Sequence, residues 1–225
     1  MWFDEYIQKV IDALGNDMLR EALGKVSTRF PRARFQLLKE LPYYEYHRKR
    51  VREVRLWSLE HIEDMVKMAR ESIEKAGGIF YYARTGEEAV NYIVNILRDR
   101  NARLVIKGKS MVSEEIFLNK ALIEHGFDVI ETDFGEFLIQ IRGEKPSHPV
   151  VPAIHLTIEE IAKTLSKYLN KEIPPNHGIC VRAVREYLRD KFFKADAGIT
   201  GANAIAADTG TVVLVENEGN ARFVS

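Results

Sequence analysis

Between residues 79 and 131 short apolar, β-branched runs alternate with segments of helical period, and this alternation restricts the possible folds more than any other feature of the chain. Residues 79–82, 103–107 and 127–131 read as strands, and 86–100 and 113–125 as the helices between them. Strands separated by helices of about a dozen residues form βαβ units, whose strands run parallel with right-handed crossovers. Further on, Thr157 reads as the cap of a helix through Tyr168, and 180–193 as another helix. Residues 197–200 and 211–215 supply the last strands. The expected architecture is an α/β domain in three layers, with a mostly parallel sheet between helices.

A helical region precedes it. Ile7, Val10, Ile11 and Leu14 recur at helical spacing, and Gly15-Asn16 ends that helix. Asp17 is placed to cap a second helix toward Leu38, with Pro31 expected to break or kink it. Residues 41–47 are aromatic and interrupted by Pro42, and read as a connection. Ser58 reads as the N-cap of a helix to Ala76, closed by Gly77-Gly78. The division expected is a helical N-terminal region, 1–57, and an α/β domain, 58–225. Residues 220–225 read as strand-like without a stop signal, which suggests a boundary inside a longer protein.

With 225 residues the chain can bury one full core. No apolar run approaches the roughly 20 residues of a membrane span, and the N-terminal residues lack the pattern of a signal peptide. One cysteine, Cys180, excludes an intrachain disulfide and suits a reducing, cytoplasmic compartment. It also excludes a conventional iron–sulfur centre in this chain, since a four-iron cluster takes about four thiolates. Net charge is zero but unevenly spread: residues 20–55 hold eleven Lys or Arg against four acids, and 110–160 hold three against ten. The basic segment reads as a solvated helical face, because no zinc-finger spacing or RNA-binding aromatic signature accompanies it. No nucleic-acid partner is expected.

Several groups are candidates for chemistry. Lys107, Gly108, Lys109 and Ser110 stand at the end of a strand before a helix, where free amides attract anions. They do not form a P-loop, because the glycine such a loop requires is Arg103 here. Ser113 reads as the N-cap of the following helix. Asp133, with Glu131 just before it, can hold a ligand hydroxyl or a metal, act as a general base, or cap a following helix and face water. His148 and His155, seven apart among Pro146, Pro149 and Pro152, do not match a metal-binding helical pair and are open to a structural or a substrate-contact reading. The glycine turns near the C-terminus carry Thr200, Gly201, Asn203, Asp208, Thr209, Gly210 and Thr211 around a β-branched run, and a tight turn at 217–220 follows. Polar, glycine-lined rims at strand ends are where open α/β sheets place ligands. Lys107 to Ser110, Asp133, Thr200 to Asn203 and Asp208 to Thr211 are therefore expected to converge on one cleft suited to a small anion with hydroxyl groups, and His148 is carried as a further ligand candidate. No metal site is expected.

Residues from about Val51 to the end resemble the lactate-utilisation (LUD) domain family, in the form found in the iron–sulfur subunit of the bacterial L-lactate utilisation system. The resemblance rests on Ala76-Gly-Gly-Ile-Phe-Tyr-Tyr-Ala-Arg84, Lys107-Gly-Lys-Ser-Met-Val-Ser-Glu-Glu-Ile116 and Glu131-Thr-Asp-Phe-Gly-Glu-Phe-Leu-Ile-Gln140. It continues in Pro146-Ser-His-Pro-Val-Val-Pro-Ala-Ile-His155 and in the stretch from Gly198 to Val215. It implies the fold of ribose-phosphate isomerase, glucosamine-phosphate deaminase and CoA transferases. It further implies membership of a multi-subunit oxidoreductase with other lactate-utilisation subunits as partners, and iron–sulfur clusters on a full-length or partner protein rather than here. CoA transferases of this fold use a glutamate beside a glycine turn as nucleophile, and LUD domains commonly carry a glutamate where this chain has Asp208. Asp208 is the corresponding catalytic candidate, displaced by the shorter side chain. The alternatives are a stand-alone CoA-transferase-like or sugar-phosphate-isomerase-like enzyme, and a non-catalytic sensor or scaffold.

Overall fold

The computed structural model describes residues 2–148 and 151–225, and it divides into two compact units, Met1–Met65 and Val66–Ser225. Pro149, one of the prolines around the histidine pair, lies outside the described residues.

The first unit is helical: α1 (Trp2–Gly15), α2 (Asp17–Glu40), α3 (Tyr44–Glu60) and the start of α4 (Ile62–Lys75). Asn16, rather than Asp17, caps α2, its side chain accepting from the Leu19 amide at 3.0 Å. Pro31 lies inside α2 without ending it. The expected connection at 41–47 shrinks to three residues, because the tyrosines at 44 and 46 already belong to α3. Ser58 caps nothing; it lies inside α3 and its hydroxyl donates to the Val54 carbonyl. The break before α4 falls at His61, whose ring stacks on Trp57 with centroids 4.3 Å apart.

In the second unit come α5 (Gly86–Asp99), β1 (Leu104–Lys107), α6 (Met111–Glu115), α7 (Leu118–Glu124), β2 (Asp128–Glu131) and α8 (Phe134–Arg142). They are followed by α9 (Ile158–Leu169), α10 (His177–Lys194), β3 (Ala197–Ile199), β4 (Ala204–Ala206), β5 (Thr211–Val213) and α11 (Asn220–Val224). The fold is α/β, with β2, β1 and β3 side by side and parallel. Val105 pairs with Val129 on one side and Ala197 on the other. Because side chains alternate along a strand, the sheet has two apolar faces. Val105, Val129, Ala197 and Ile199 pack with Val94, Leu97, Leu118 and Leu122 of α5 and α7. Ile130 and Leu104 pack with Phe137, Leu138, Leu165, Val184 and Leu188 of α8, α9 and α10. Each helix carries its apolar residues three and four apart, so one side of it faces the sheet.

Three expectations change here. Residues 79–82 are not a strand. Tyr81 instead stacks on Tyr92 of α5, with centroids 3.7 Å apart, and Phe80 lies under the Arg70 guanidinium. The strand at 211–213 does not join the parallel sheet but pairs antiparallel with β4 as a separate hairpin, Ala204 opposite Val213. The strand-like C-terminal residues form α11 and dock on the sheet. The Val224 carbonyl comes within 1.8 Å of where a Cβ on Gly198 would sit, so β3 admits only glycine there.

Side chains close the sheet where backbone ends. Asp196 accepts from the Arg103 and Leu104 amides at 2.8 and 2.9 Å, and these bonds hold its carboxyl below the usual range. On the free edge of β2, Gln140 takes the place of a neighbouring strand: its amide donates to the Val129 carbonyl at 2.7 Å and its oxygen accepts from the Glu131 amide at 3.0 Å.

Candidate functional site

A cavity of about 780 Å³ opens at the C-terminal ends of the three parallel strands, where open sheets place ligands. Four chain segments build its walls. After β1 come Lys109, Ser110, Met111 and Val112; after β2 come Asp133, Phe134 and Gly135. Thr200, Gly201, Ala202 and Asn203 follow β3, and Glu216, Asn217, Glu218 and Asn220 follow the hairpin. Val151, Pro152 and Ala153 add an apolar side.

The loops are held by their own side chains. Ser110, not Ser113, caps α6: its hydroxyl accepts from the Ser113 amide at 3.3 Å. Asp133 caps α8, its Oδ1 accepting from the Gly135 and Glu136 amides at 3.0 and 3.1 Å. Glu218 reaches the same helix end, its Oε2 accepting from the Phe134 amide at 3.1 Å. Both carboxylates sit where the helix dipole favours negative charge. Burial, then the charge of Asp133, pushes the Glu218 carboxyl above its ordinary value, against the Phe134 amide and Lys109. Asn203 fixes the hairpin by accepting from the Val215 amide at 2.8 Å, and Glu216 accepts from the Arg222 amide at 3.0 Å.

Of the residues singled out in the sequence, Lys109, Ser110, Asp133, Thr200, Gly201 and Asn203 meet on this cavity. Others do not. Lys107 is fully buried under it, 2.8 Å from Glu131 Oε1. Gly108 packs against Thr200, and its amide donates to the Ile199 carbonyl. His148 stands outside the wall and accepts from the Val151 amide at Nδ1; His155 bridges Ser147 and Glu144 at 2.7 and 3.0 Å. Asp208, Thr209, Gly210 and Thr211 form the far end of the β4–β5 hairpin. There the Asp208 carbonyl accepts from Ser72, the Gly210 backbone lies against Ile73, and Thr209 bonds Thr211. The polar groups the sequence reading missed are Glu216, Asn217, Glu218 and Asn220. Their signal was present, since a dense polar cluster directly after a β-branched run marks a strand-end loop as well as a turn.

The cavity's charge also differs from that of a simple anion site. Asp133, Glu216 and Glu218 stand against Lys109, so a ligand must offer hydroxyl or amine donors to the carboxylates besides any anionic group. Cys180, fully buried with its thiol pushed up by burial, is unsuited to hold a cluster. Among the described residues no group of three or more His, Cys, Asp or Glu is arranged to hold a metal, and no helix is long and apolar enough to cross a membrane.

The chain is 40% identical over 225 residues to "Lactate utilization protein B" of Bacillus licheniformis, covering 98% of this chain and 46% of the relative. It is 38% identical over 223 residues to the protein of that name in Bacillus subtilis, covering 99% and 47%. To "Uncharacterized electron transport protein YkgF" of Escherichia coli it is 37% identical over 219 residues, covering 97% and 46%. The chain thus spans about half the length of these relatives. No solved structure matches it. The family model described as the LUD domain matches residues 66–225, which is the whole of the α/β unit, and the chain belongs to the LUD domain family.

Proposed function

We propose that this chain is the LUD part of a lactate-utilisation protein and that its cleft binds a small anionic metabolite bearing hydroxyl groups. The protein would work with other lactate-utilisation subunits in a cytoplasmic oxidoreductase system, the iron–sulfur clusters being held elsewhere in the full-length protein or on a partner. The observation that carries the reading is the cavity at the strand ends, which gathers Lys109, Ser110, Thr200 and Asn203 with Asp133 and Glu218. Lys109 supplies a positive charge for an anionic group, while the carboxylates accept from hydroxyls; a hydroxy acid offers both. The volume lies in the range of sites for drug-sized ligands, so a three-carbon acid would occupy only part of it. A larger hydroxy acid, or one carried on a larger group, fills it better. The relatives' names support the assignment to lactate utilisation.

The enzyme alternative keeps one supporting observation. A carboxyl with a raised pKa, Glu218, lies in the cleft, whereas Asp208 does not line it. A CoA-transferase-like or isomerase-like reaction would run on Glu218.

Titration calorimetry with L-lactate, larger 2-hydroxy acids and a 2-hydroxyacyl-CoA tests the proposal. Ala202→Leu, which fills the cleft from its wall, should abolish binding, while Lys163→Ala on α9 should leave it unchanged. If none of these probes binds the folded chain, the metabolite reading is withdrawn; turnover of the thioester would favour the enzyme.

A further inference from the structure

Three charged side chains are buried at the C-terminal ends of β1 and β2 and the start of α8: Lys107, Glu131 and Glu136 are 0%, 2% and 6% exposed. Lys107 Nζ lies 2.8 Å from Glu131 Oε1 and donates to Ser113 Oγ at 2.9 Å. Glu131 Oε1 also accepts from Asn119 Nδ2 at 2.6 Å, and this leaves Oε2 with no partner among the described residues. Asn119 Oδ1 is likewise without one. The Glu136 carboxyl makes no hydrogen bond or ion pair among the described residues. The cluster therefore holds two buried carboxyls for one buried ammonium, and bare acceptors with no donor facing them.

A buried carboxylate without a partner is far less favourable than its protonated form. A proton supplies both things the cluster lacks, a positive charge and a donor. We propose that this cluster holds a single proton at neutral pH, on the Glu136 carboxyl, forming a buried proton site behind the wall of the cleft.

The groups around the site act in the direction required. Burial raises Glu136 to about 7, with Glu131, Glu114 and Asp133 adding to the rise and Lys109 opposing it. Burial likewise raises Glu131, although Lys107 from β1 and Asn119 from α7 pull it down. Glu114, 3.7 Å from Lys107, is a third exposed, and Asp133 lines the cavity. The negative charge of Glu131 is among the causes that keep the proton on Glu136.

Glu136 begins the helix whose first residues form the cleft. Its amide bonds to Asp133, and Asp133, Phe134 and Gly135 line the cavity. Loss of the proton places a second negative charge behind Asp133, so an anionic ligand binds more tightly on the acid side of the transition. That consequence rests on the cleft being a ligand site; the proton site does not.

Infrared spectroscopy of the ligand-free chain tests the proton site independently of any ligand. Between about pH 5 and about pH 8 the carbonyl stretch of a buried, protonated carboxyl should persist to neutrality, fade near the Glu136 value of about 7 and be absent in Glu136→Gln. The melting temperature gives a second readout. Glu136 keeps in the folded chain a proton that the unfolded chain releases above its ordinary 4.5. The resulting stability is complete below that value and lost as pH rises through about 7. Wild type should therefore melt progressively lower across this window, and Glu136→Gln should fall less steeply, since the raised carboxyls of Glu131 and Glu218 remain. A wild-type chain with no protonated carboxyl band above about pH 5 overturns the proposal, even if the variant fails to fold. An unchanged band in a folded Glu136→Gln overturns it as well.

Discussion

Lys107 has no contact with water, and its ammonium is held by Glu131, Ser113 and, more distantly, Glu114. Removing one member of such a pair strands the other charge in a medium that solvates it poorly. Lys107→Met should therefore cost about 3–5 kcal/mol, read as a lower denaturation midpoint in urea. The double variant Lys107→Met with Glu131→Leu should recover part of that loss, since a buried pair replaced by apolar groups is often neutral. A double variant no more stable than the single one would mean the pair is not the source of the effect. The position of Lys107 was legible in principle. Two residues after the buried Val105 on the same strand, it had to point into the α5–α7 side rather than into the loop. The run Lys107-Gly-Lys-Ser110 drew attention to its chemistry and away from that parity. Lys109, two residues further and beyond the strand's end, is the lysine that reaches the cleft.

Helix α6 stops after five residues because Phe117 takes a left-handed conformation, φ 53°, before α7 begins. A bulky residue in this region is strained, and Phe117 is 71% exposed, so little packing offsets the strain. Phe117→Asn should stabilise the protein by about 1 kcal/mol and raise the melting temperature by roughly 2–4 °C; an unchanged or lower value would show that the phenyl ring contributes contacts that outweigh the strain. The sequence gives a single helical period through 113–125, with no glycine at 117 to announce the break. The parallel core, by contrast, was readable from the alternation alone, since β1, β2 and α5 follow their apolar runs. Two features defeated that reading for the same reason. The β-branched run at 211–213 looks like a core strand but pairs with β4, and the tyrosines at 44 and 46 sit in a helix that has no buried residue among those described. In both places local composition indicates the residue type of an element, while the partner that would decide its position lies far away in sequence. The gathering of Ser110, Asp133 and Thr200 was legible because each follows a strand end; the absence of Asp208 from the cavity was not.

As a whole molecule, the chain combines a helical unit with an α/β unit, and its single cysteine is buried in the latter. Anaerobic reconstitution with iron and sulfide should leave it colourless, because one buried thiol cannot replace the four thiolates or so of a cluster. Stoichiometric cluster absorption that survives Cys180→Ala would place ligands where none is expected; absorption lost in that variant would point to clusters shared between copies. The Gln140 side chain has a consequence at this scale too. A bare strand edge is a template on which another chain can add a strand, and open sheets with such edges are prone to fibril growth. Here the Val129 carbonyl and the Glu131 amide are already occupied by one carboxamide from the protein's own helix. A strand added along β2 would have to displace that carboxamide, and in a heated or concentrated sample its loss, as in Gln140→Leu, would open the edge to self-templating.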